Sequence, residues 1–362
     1  MRIIKINEPK IIMNNPMSKH NYFGWPTVTR LQNGKLAVVA SGFRLQHICP
    51  FGKTVIAFSE DEGEHYTLPA PVIDTTLDDR DGGILSFGES GVIVTSFNNT
   101  LQFQRNSAAG SEYRISYLNT VTSEEEAVCL GSTFRISFDN GITFGKLYKS
   151  PITSPHGPIQ RKNGDIVWVG RTFSPNVSMM ADDRICSYLL HPDNGEMEYL
   201  GCIEDVIFEG EKQLSCEPHV FELDDGTLLC HIRVQTPKGP SRLFTIYQST
   251  SSDGGRTWSK PEPILSEQGG APAHIMRHSS GILISVYGFR GSNPFGIKAM
   301  FSRDNGKTWD VDHVLYTNTF SADLGYPSTV ELSDGSLLTV FYAKEKKELP
   351  AVIMQQKWRL ED

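Results

Sequence analysis

The chain has 362 residues, 39% hydrophobic and 21% charged, with many Gly, Pro, Phe and Tyr. That is the composition of a globular protein able to bury a large core. Its formal net charge of −8 argues against a nucleic-acid partner, which needs a basic face, but leaves room for an anionic ligand held by a local arginine cluster.

The N-terminal stretch, Met1 to Lys10, has no apolar core or small-residue cleavage site of a signal peptide. No run approaches the ~18 apolar residues of a membrane span. The six cysteines (Cys49, Cys129, Cys186, Cys202, Cys216, Cys230) lack CxxC spacing, so neither a zinc site nor a disulfide framework is expected. Reduced thiols in a cytoplasmic protein are the expectation, with no metal and no cofactor.

Ile3 to Ile6 reads as an outer strand. From there a hairpin recurs, with turn glycines at Gly34, Gly91, Gly164, Gly226, Gly281 and Gly335, spaced 57, 73, 62, 55 and 54 residues apart. Each lies between apolar, β-prone runs such as Leu36-Ala37-Val38-Val39 or Ile166-Val167-Trp168-Val169. Asn-Gly and Asp-Gly between such runs are strong hairpin signals because the turn needs φ > 0. A period of 50 to 70 residues, all strand, indicates blades of four strands each. The expected architecture is all-β: one six-bladed β-propeller over residues 1–362, closed by the two termini sharing a blade. Residues 100–130 show no clean period and read as a longer excursion.

A second repeat, Ser-x-Asp-x-Gly-x-x-aromatic, occurs at Ser59–Tyr66, Ser137–Phe144, Ser251–Trp258 and Ser302–Trp309. The Asp accepts backbone N–H bonds in a tight turn, the Gly takes the left-handed position and the aromatic packs behind. These are Asp-boxes joining the outer strands of a blade, and their Ser and Asp are structural. With a six-bladed propeller they make the chain resemble the sialidase (neuraminidase) superfamily along its whole length. The resemblance implies a carbohydrate-active protein.

Residues opposite the hairpin turns should surround one mouth, since the open ends of the inner strands lie together. About nine residues before the turn glycines stand Trp25, Asp81, Pro155 and His156, Glu217, Pro272 to His274, and Tyr326. Seven to ten residues after them stand Arg44, Phe97, Arg171, Arg233, Arg290 and Tyr342. Four return strands therefore end in arginine, a candidate site for a carboxylate. Tyr326 and Glu217 share the opposite phase, where a carboxylate base could activate the phenol. A neutral phenol meets an anionic sugar with less repulsion than Asp or Glu would. Sialidases use a Tyr nucleophile, and their Tyr and Glu segments resemble Gly325-Tyr326-Pro327-Ser328-Thr329 and Cys216-Glu217-Pro218-His219-Val220. Two of the family's three carboxylate-binding arginines resemble Arg233 and Arg290.

Two of the family's parts are missing. The segment matching its first Arg-Ile-Pro reads Tyr22-Phe23-Gly24-Trp25-Pro26, and the loop matching that of its acid, Gly42 to Lys53, holds no carboxylate. Asp79 or Asp81 in the crowded loop Leu77 to Gly83 could supply the acid, as could His47. His156, His219 and His274, also at the mouth phase, could bind sugar hydroxyls. The expected function is a retaining exo-glycosidase of sialidase type acting on a terminal acidic sugar. Tyr326, Glu217, Asp79 and Asp81 are its candidate catalytic residues. Arg233, Arg290, Arg44, Arg171, Trp25, His47, His156, His219 and His274 are its candidate substrate contacts. An inactive carbohydrate-binding propeller and a lyase acting on an acidic sugar are the alternatives.

Overall fold

The repeated apolar runs are buried on both faces, which is why they read as continuous rather than alternating. Leu36 to Ala40 and Leu337 to Tyr342 are each essentially inaccessible. The computed structural model describes residues 1–173, 183–237, 242–265 and 268–361, and among them six antiparallel sheets of four or five strands succeed one another along the chain, with a two-stranded ribbon, Ile207–Phe208 and Glu211–Lys212, between the third and the fourth. Blade 1 runs Tyr22–Arg30, Leu36–Arg44, Lys53–Ser59 and Ala70–Ile73. Blade 2 runs Arg80–Phe87, Gly91–Phe97, Ser132–Ser137 and Tyr148–Ser150. In blade 3 the inner strand is split into Ile152–Thr153 and Ile159–Gln160, both paired with Ile166–Thr172.

Blade 4 opens with Leu214–Glu222 and Leu228–Gln235, blade 5 with Gly270–Arg277 and Leu283–Phe289, and blade 6 with Gly325–Glu331 and Leu337–Ala343. Blade 6 is completed by Val352–Glu361, against which both Arg2–Lys5 and Lys10–Met13 pair. The termini thus share a blade, which removes an exposed sheet edge. The apolar cores lie between neighbouring blades. Val39 and Ile56 of blade 1 meet Ile84 and Val94 of blade 2, and Val28 and Val38 meet Leu338 and Val340 of blade 6.

The Asp-box turns have the expected geometry. Ser251 Oγ donates to Asp253 Oδ1 at 2.8 Å and accepts from the Gly255 amide at 2.9 Å. The Thr257 amide donates to Asp253 Oδ1 at 2.9 Å, and Trp258 packs over the turn with Nε1 on Gly255 O at 3.0 Å. Hydrogen bonds from Thr257 hold the Asp253 carboxyl well below its usual range. These groups are satisfied locally and face away from the mouth.

Two expectations change, and the excursion within blade 2 takes a definite form. The blade 2 turn is set three residues earlier than Gly91: Gly88 takes the left-handed conformation (φ 54°), and Gly91 opens the return strand. The excursion at 100–130 forms three short helices, Leu101–Ser107, Glu112–Leu118 and Ser123–Cys129. The last begins with a reciprocal capping box, Thr122 to the Glu125 amide and Glu125 back to the Thr122 amide, which is the role of the acidic run there. Finally, Cys186 and Cys202 form a disulfide. Their pairing follows from the hairpin register, which sets Cys186 directly opposite Cys202 on adjacent strands, and spacing along the chain does not reveal it.

Close blade contact near the axis constrains Gly83. A Cβ there would stand 2.4 Å from the Gly157 amide nitrogen and 2.5 Å from Thr95 Oγ1. Because the first obstacle is backbone, Gly83→Ala is expected to lower the stability of the propeller by about 2 kcal/mol or more, read as a lower urea midpoint.

Candidate active site

The inner strands do not run straight to the mouth. The blade 6 ladder slips between Gly325 and Ser328, the blade 4 ladder between Cys216 and His219, and the blade 2 ladder between Arg80 and Gly83. At each slip a non-glycine residue takes a left-handed backbone: Tyr326 at φ 49°, Glu217 at 49° and Asp81 at 53°. Such a bulge re-aims its side chain. All three line one cavity of about 310 Å³ at the mouth of the propeller.

Tyr326 Oη donates to Glu217 Oε1 at 2.6 Å, and Arg233 Nη1 donates to Glu217 Oε2 at 2.7 Å. Arg233 Nη1 also lies 3.5 Å from Tyr326 Oη, so the phenol, the carboxylate and the guanidinium form one connected unit. Gln235 Oε1 accepts from Arg233 Nε at 2.9 Å and Nη2 at 2.6 Å, which fixes the plane of the guanidinium. Arg290 rests over the Tyr326 ring, 5.4 Å from its centroid, and gives its Nε to the Leu324 carbonyl at 3.0 Å.

The environment sorts the ionisable groups. Burial alone would raise Glu217, but the charge of Arg233 and the bonds from Tyr326 and Arg233 outweigh it, so the carboxyl lies below its usual value. Tyr326 is pushed far above the usual phenol value, first by burial and then by the Glu217 and Asp81 charges. A neutral phenol facing an ionised carboxylate results. Asp81 moves the other way: burial, partly offset by Arg80 and reinforced by Glu217, raises it to about 6.

The remaining sequence candidates divide. Arg171 and His47 line the cavity, Arg171 paired with Asp183 at 3.2 Å. Arg44 does not face it. Its side chain is fully buried against Asp78 at 2.5 Å and donates to the His47 carbonyl at 2.8 Å. Asp79 lies behind the cavity wall and accepts from the Thr75 amide at 2.6 Å and Asn98 Nδ2 at 3.2 Å, with burial raising it to about 7. Its neighbour Asp81 alone is turned toward the mouth, because the bulge falls on that residue.

Trp25 shares the left-handed conformation (φ 54°) but is buried as a floor, 6.4 Å from the Tyr326 ring and 4.9 Å from His47. The three histidines are drawn into the axis of the propeller instead of the mouth. His219 and His274 stack at 4.3 Å, with His156 edge-on at 5.5 and 5.1 Å. Burial drives all three far below the usual histidine range. Among the described residues no group of His, Cys, Asp and Glu is disposed to hold a metal ion.

The site also holds residues that the sequence did not single out. Arg80, one position before Asp81, lines the cavity with its guanidinium over the Trp25 ring at 4.4 Å. Asp323 accepts from His47 Nδ1 at 2.9 Å, Tyr22 Oη at 2.9 Å and Tyr342 Oη at 3.1 Å. This bond fixes His47 as the Nδ1–H tautomer, leaving Nε2 to accept from Arg80 Nη2 at 3.3 Å. Burial, opposed by Asp323, lowers His47 below its usual value, so the imidazole is neutral. Phe103, from the first short helix, adds an apolar wall beside Phe97 and Ile48. The charged loop at the mouth phase was a signal for Arg80. Asp323 lies in an irregular loop and had none.

Buried and cavity-lining arginines predict different mutational outcomes. Arg44→Gln strands the buried Asp78 carboxylate and is expected to cost about 3–5 kcal/mol in chemical unfolding. Arg290→Gln, at the cavity, is expected to change stability by no more than about 1 kcal/mol.

Residues 117–339 match the profile of the BNR repeat-like domain. Among solved structures, the chain resembles a protein of unknown function from Dyadobacter fermentans, with TM-score 0.78 at 19% identity over 99% of each chain. It resembles the leech intramolecular trans-sialidase, solved with 2,7-anhydro-Neu5Ac, with TM-score 0.66 at 13% identity over 98% of this chain and 70% of that one. It also resembles the Penicillium chrysogenum alpha-L-arabinanase, solved with arabinobiose, with TM-score 0.59 at 13% identity over 98% and 97% of the two chains. No curated protein sequence matches it significantly. At these identities the likeness concerns the fold, a propeller of sialidase type.

Proposed function

The chain belongs to the BNR repeat-like domain family, and from that premise we propose that it is a retaining exo-glycosidase that removes a terminal acidic sugar through Tyr326. The observation that carries this reading is the 2.6 Å bond from Tyr326 Oη to an ionised Glu217 that Arg233 also holds. A phenol is a poor nucleophile until its proton has somewhere to go. Here Glu217 takes the proton as Oη attacks the anomeric carbon, and Arg233, bound to both partners, stabilises the charge as it moves. Asp81 protonates the departing glycosidic oxygen. In the second half Asp81 removes a proton from water, which attacks the same carbon. The Tyr326–sugar bond then breaks, and Glu217 returns the proton to the phenolate.

The acidic substrate follows from charge and size. Arg80, Arg171, Arg233 and Arg290 line the cavity together with Glu217 and Asp81, so the lining carries an excess of positive charge that an anion would balance. A volume of about 310 Å³ lies at the lower end of ligand pockets, suited to one sugar rather than a chain. The likeness to a trans-sialidase and an arabinanase supports a carbohydrate ligand.

Hydrolysis of a panel of aryl glycosides, α-sialosides and uronides included, tests the reading. Wild type is expected to release aglycone from an acidic member, and Tyr326→Phe to lose at least about a thousandfold in kcat. Release by the variant at the wild-type rate refutes the nucleophile.

The opposed shifts of the two carboxyls set the pH profile. The acid works only while protonated, so kcat/KM is expected to fall as pH rises through about 6, where Asp81 ionises. It should fall again on the acid side, below the usual carboxylate range, as Glu217 gains a proton. Asp81→Asn should cost about 10²–10⁴-fold and abolish the alkaline limb; a limb that persists in this variant excludes Asp81 as the acid.

One observation favours a second reading, elimination from an acidic sugar. The neutral His47, held by Asp323 with Nε2 beside Arg80, is arranged as a base next to a cation. A product absorbing in the near ultraviolet, with loss of that product in His47→Gln, would replace hydrolysis by elimination.

A further inference from the structure

We propose that Arg80 determines specificity in this cavity. With Arg290 it binds the carboxylate of the acidic sugar, and it is free to do so because Trp25 holds its guanidinium by the face. The proposal deepens the reading of the cavity as an acidic-sugar site and rests on it.

The four cavity arginines differ in how far their hydrogen bonds are committed. Arg171 is bound to Asp183 at 3.2 Å. Arg233 gives Nη1 to Glu217 and Nε and Nη2 to Gln235. Arg290 directs Nε and Nη2 at the Leu324 carbonyl. Arg80 is different. Its nearest carboxylate contacts are Asp81 at 3.7 Å and Asp78 at 3.9 Å, both beyond hydrogen-bond length. Asp78 is already committed to Arg44 at 2.5 Å and to the Cys49 amide at 3.0 Å. The hydrogen bond from Arg80 goes from Nη2 to His47 Nε2 at 3.3 Å, and its buried Nε has no partner.

The aromatic faces hold it instead. The guanidinium carbon is 4.4 Å from the Trp25 ring centroid and 5.8 Å from that of Phe97. Stacking of this kind fixes the position of a cation without using its N–H groups. The planar edge therefore keeps donors in the geometry that matches a carboxylate, in the same cavity as Arg290 and the Tyr326 phenol. This also gives Trp25 a role: buried at the first-blade bulge, it carries no charge itself but seats a cation from the second blade.

Calorimetric titration with N-acetylneuraminic acid, with glucuronic acid and with the methyl ester of each tests this without turnover. Wild type is expected to bind one of the acids at least about tenfold tighter than its ester. Arg80→Gln should erase that preference, and Arg80→Lys, which keeps the charge but not the fork, should lose most of it. Full preference in either variant overturns the proposal. So does wild type without acid preference, including wild type that binds none of the four. If Arg80→Gln fails to fold, Arg80→Lys decides by the same criterion. Loss of hydrolysis in wild type with the preference intact would count against the glycosidase reading and not against Arg80.

Discussion

The site depends on a backbone conformation that most residues avoid. Trp25, Asp81, Glu217 and Tyr326 all sit near φ +50° at the point where an inner strand slips against its partner. For a residue with a Cβ such a conformation costs on the order of 1–3 kcal/mol and persists only where the surroundings enforce it. The surrounding ladders do so here. Long strands buried on both faces fix the register on either side of each slip, and the extra residue has nowhere to go but inward. In blades 3 and 5 the corresponding positions are Pro155 and Pro272, whose ring holds φ negative. The side chains re-aimed in this way therefore come from blades 1, 2, 4 and 6, and a pseudo-symmetric propeller acquires an asymmetric mouth.

Charge is then sorted by depth. The Arg44–Asp78 pair and the hydrogen-bonded Asp79 lie behind the wall, where they brace the loop that presents Arg80 and Asp81. At the cavity surface two carboxyls have opposite surroundings. Glu217 is held ionised by Arg233 and Tyr326, whereas burial raises Asp81. Such an opposed pair is what the proposed division into base and acid rests on. The histidines on the axis contribute to neither, since burial and their mutual proximity keep them neutral.

How much of this was legible in the sequence depends on the range of the interaction. Turns, Asp-boxes and hairpin phase are local, so the six blades, the closure by both termini and the convergence of Tyr326, Glu217, Arg233 and Arg290 could be read from spacing. The capping box Thr122 to Glu125 was equally local and marks the helices that spacing left unassigned. Asp323 was not legible, because an irregular loop has no phase. Neither was the Cys186–Cys202 disulfide, which depends on which residues a hairpin sets opposite one another.

The sequence by itself determined the propeller and which strand ends surround its mouth, since hydrophobic period and turn chemistry act over a few residues. Only the tertiary structure decided which of those residues reach the cavity. Phase along a strand treats Asp79 and Asp81, or Arg44 and Arg171, as equivalent. A one-residue bulge and a competing buried partner separate them: Asp81 is turned inward, while Arg44 is captured by Asp78. Both effects arise from contacts between segments distant in the chain. For the same reason Trp25 gains its meaning only from Arg80, 4.4 Å above its ring.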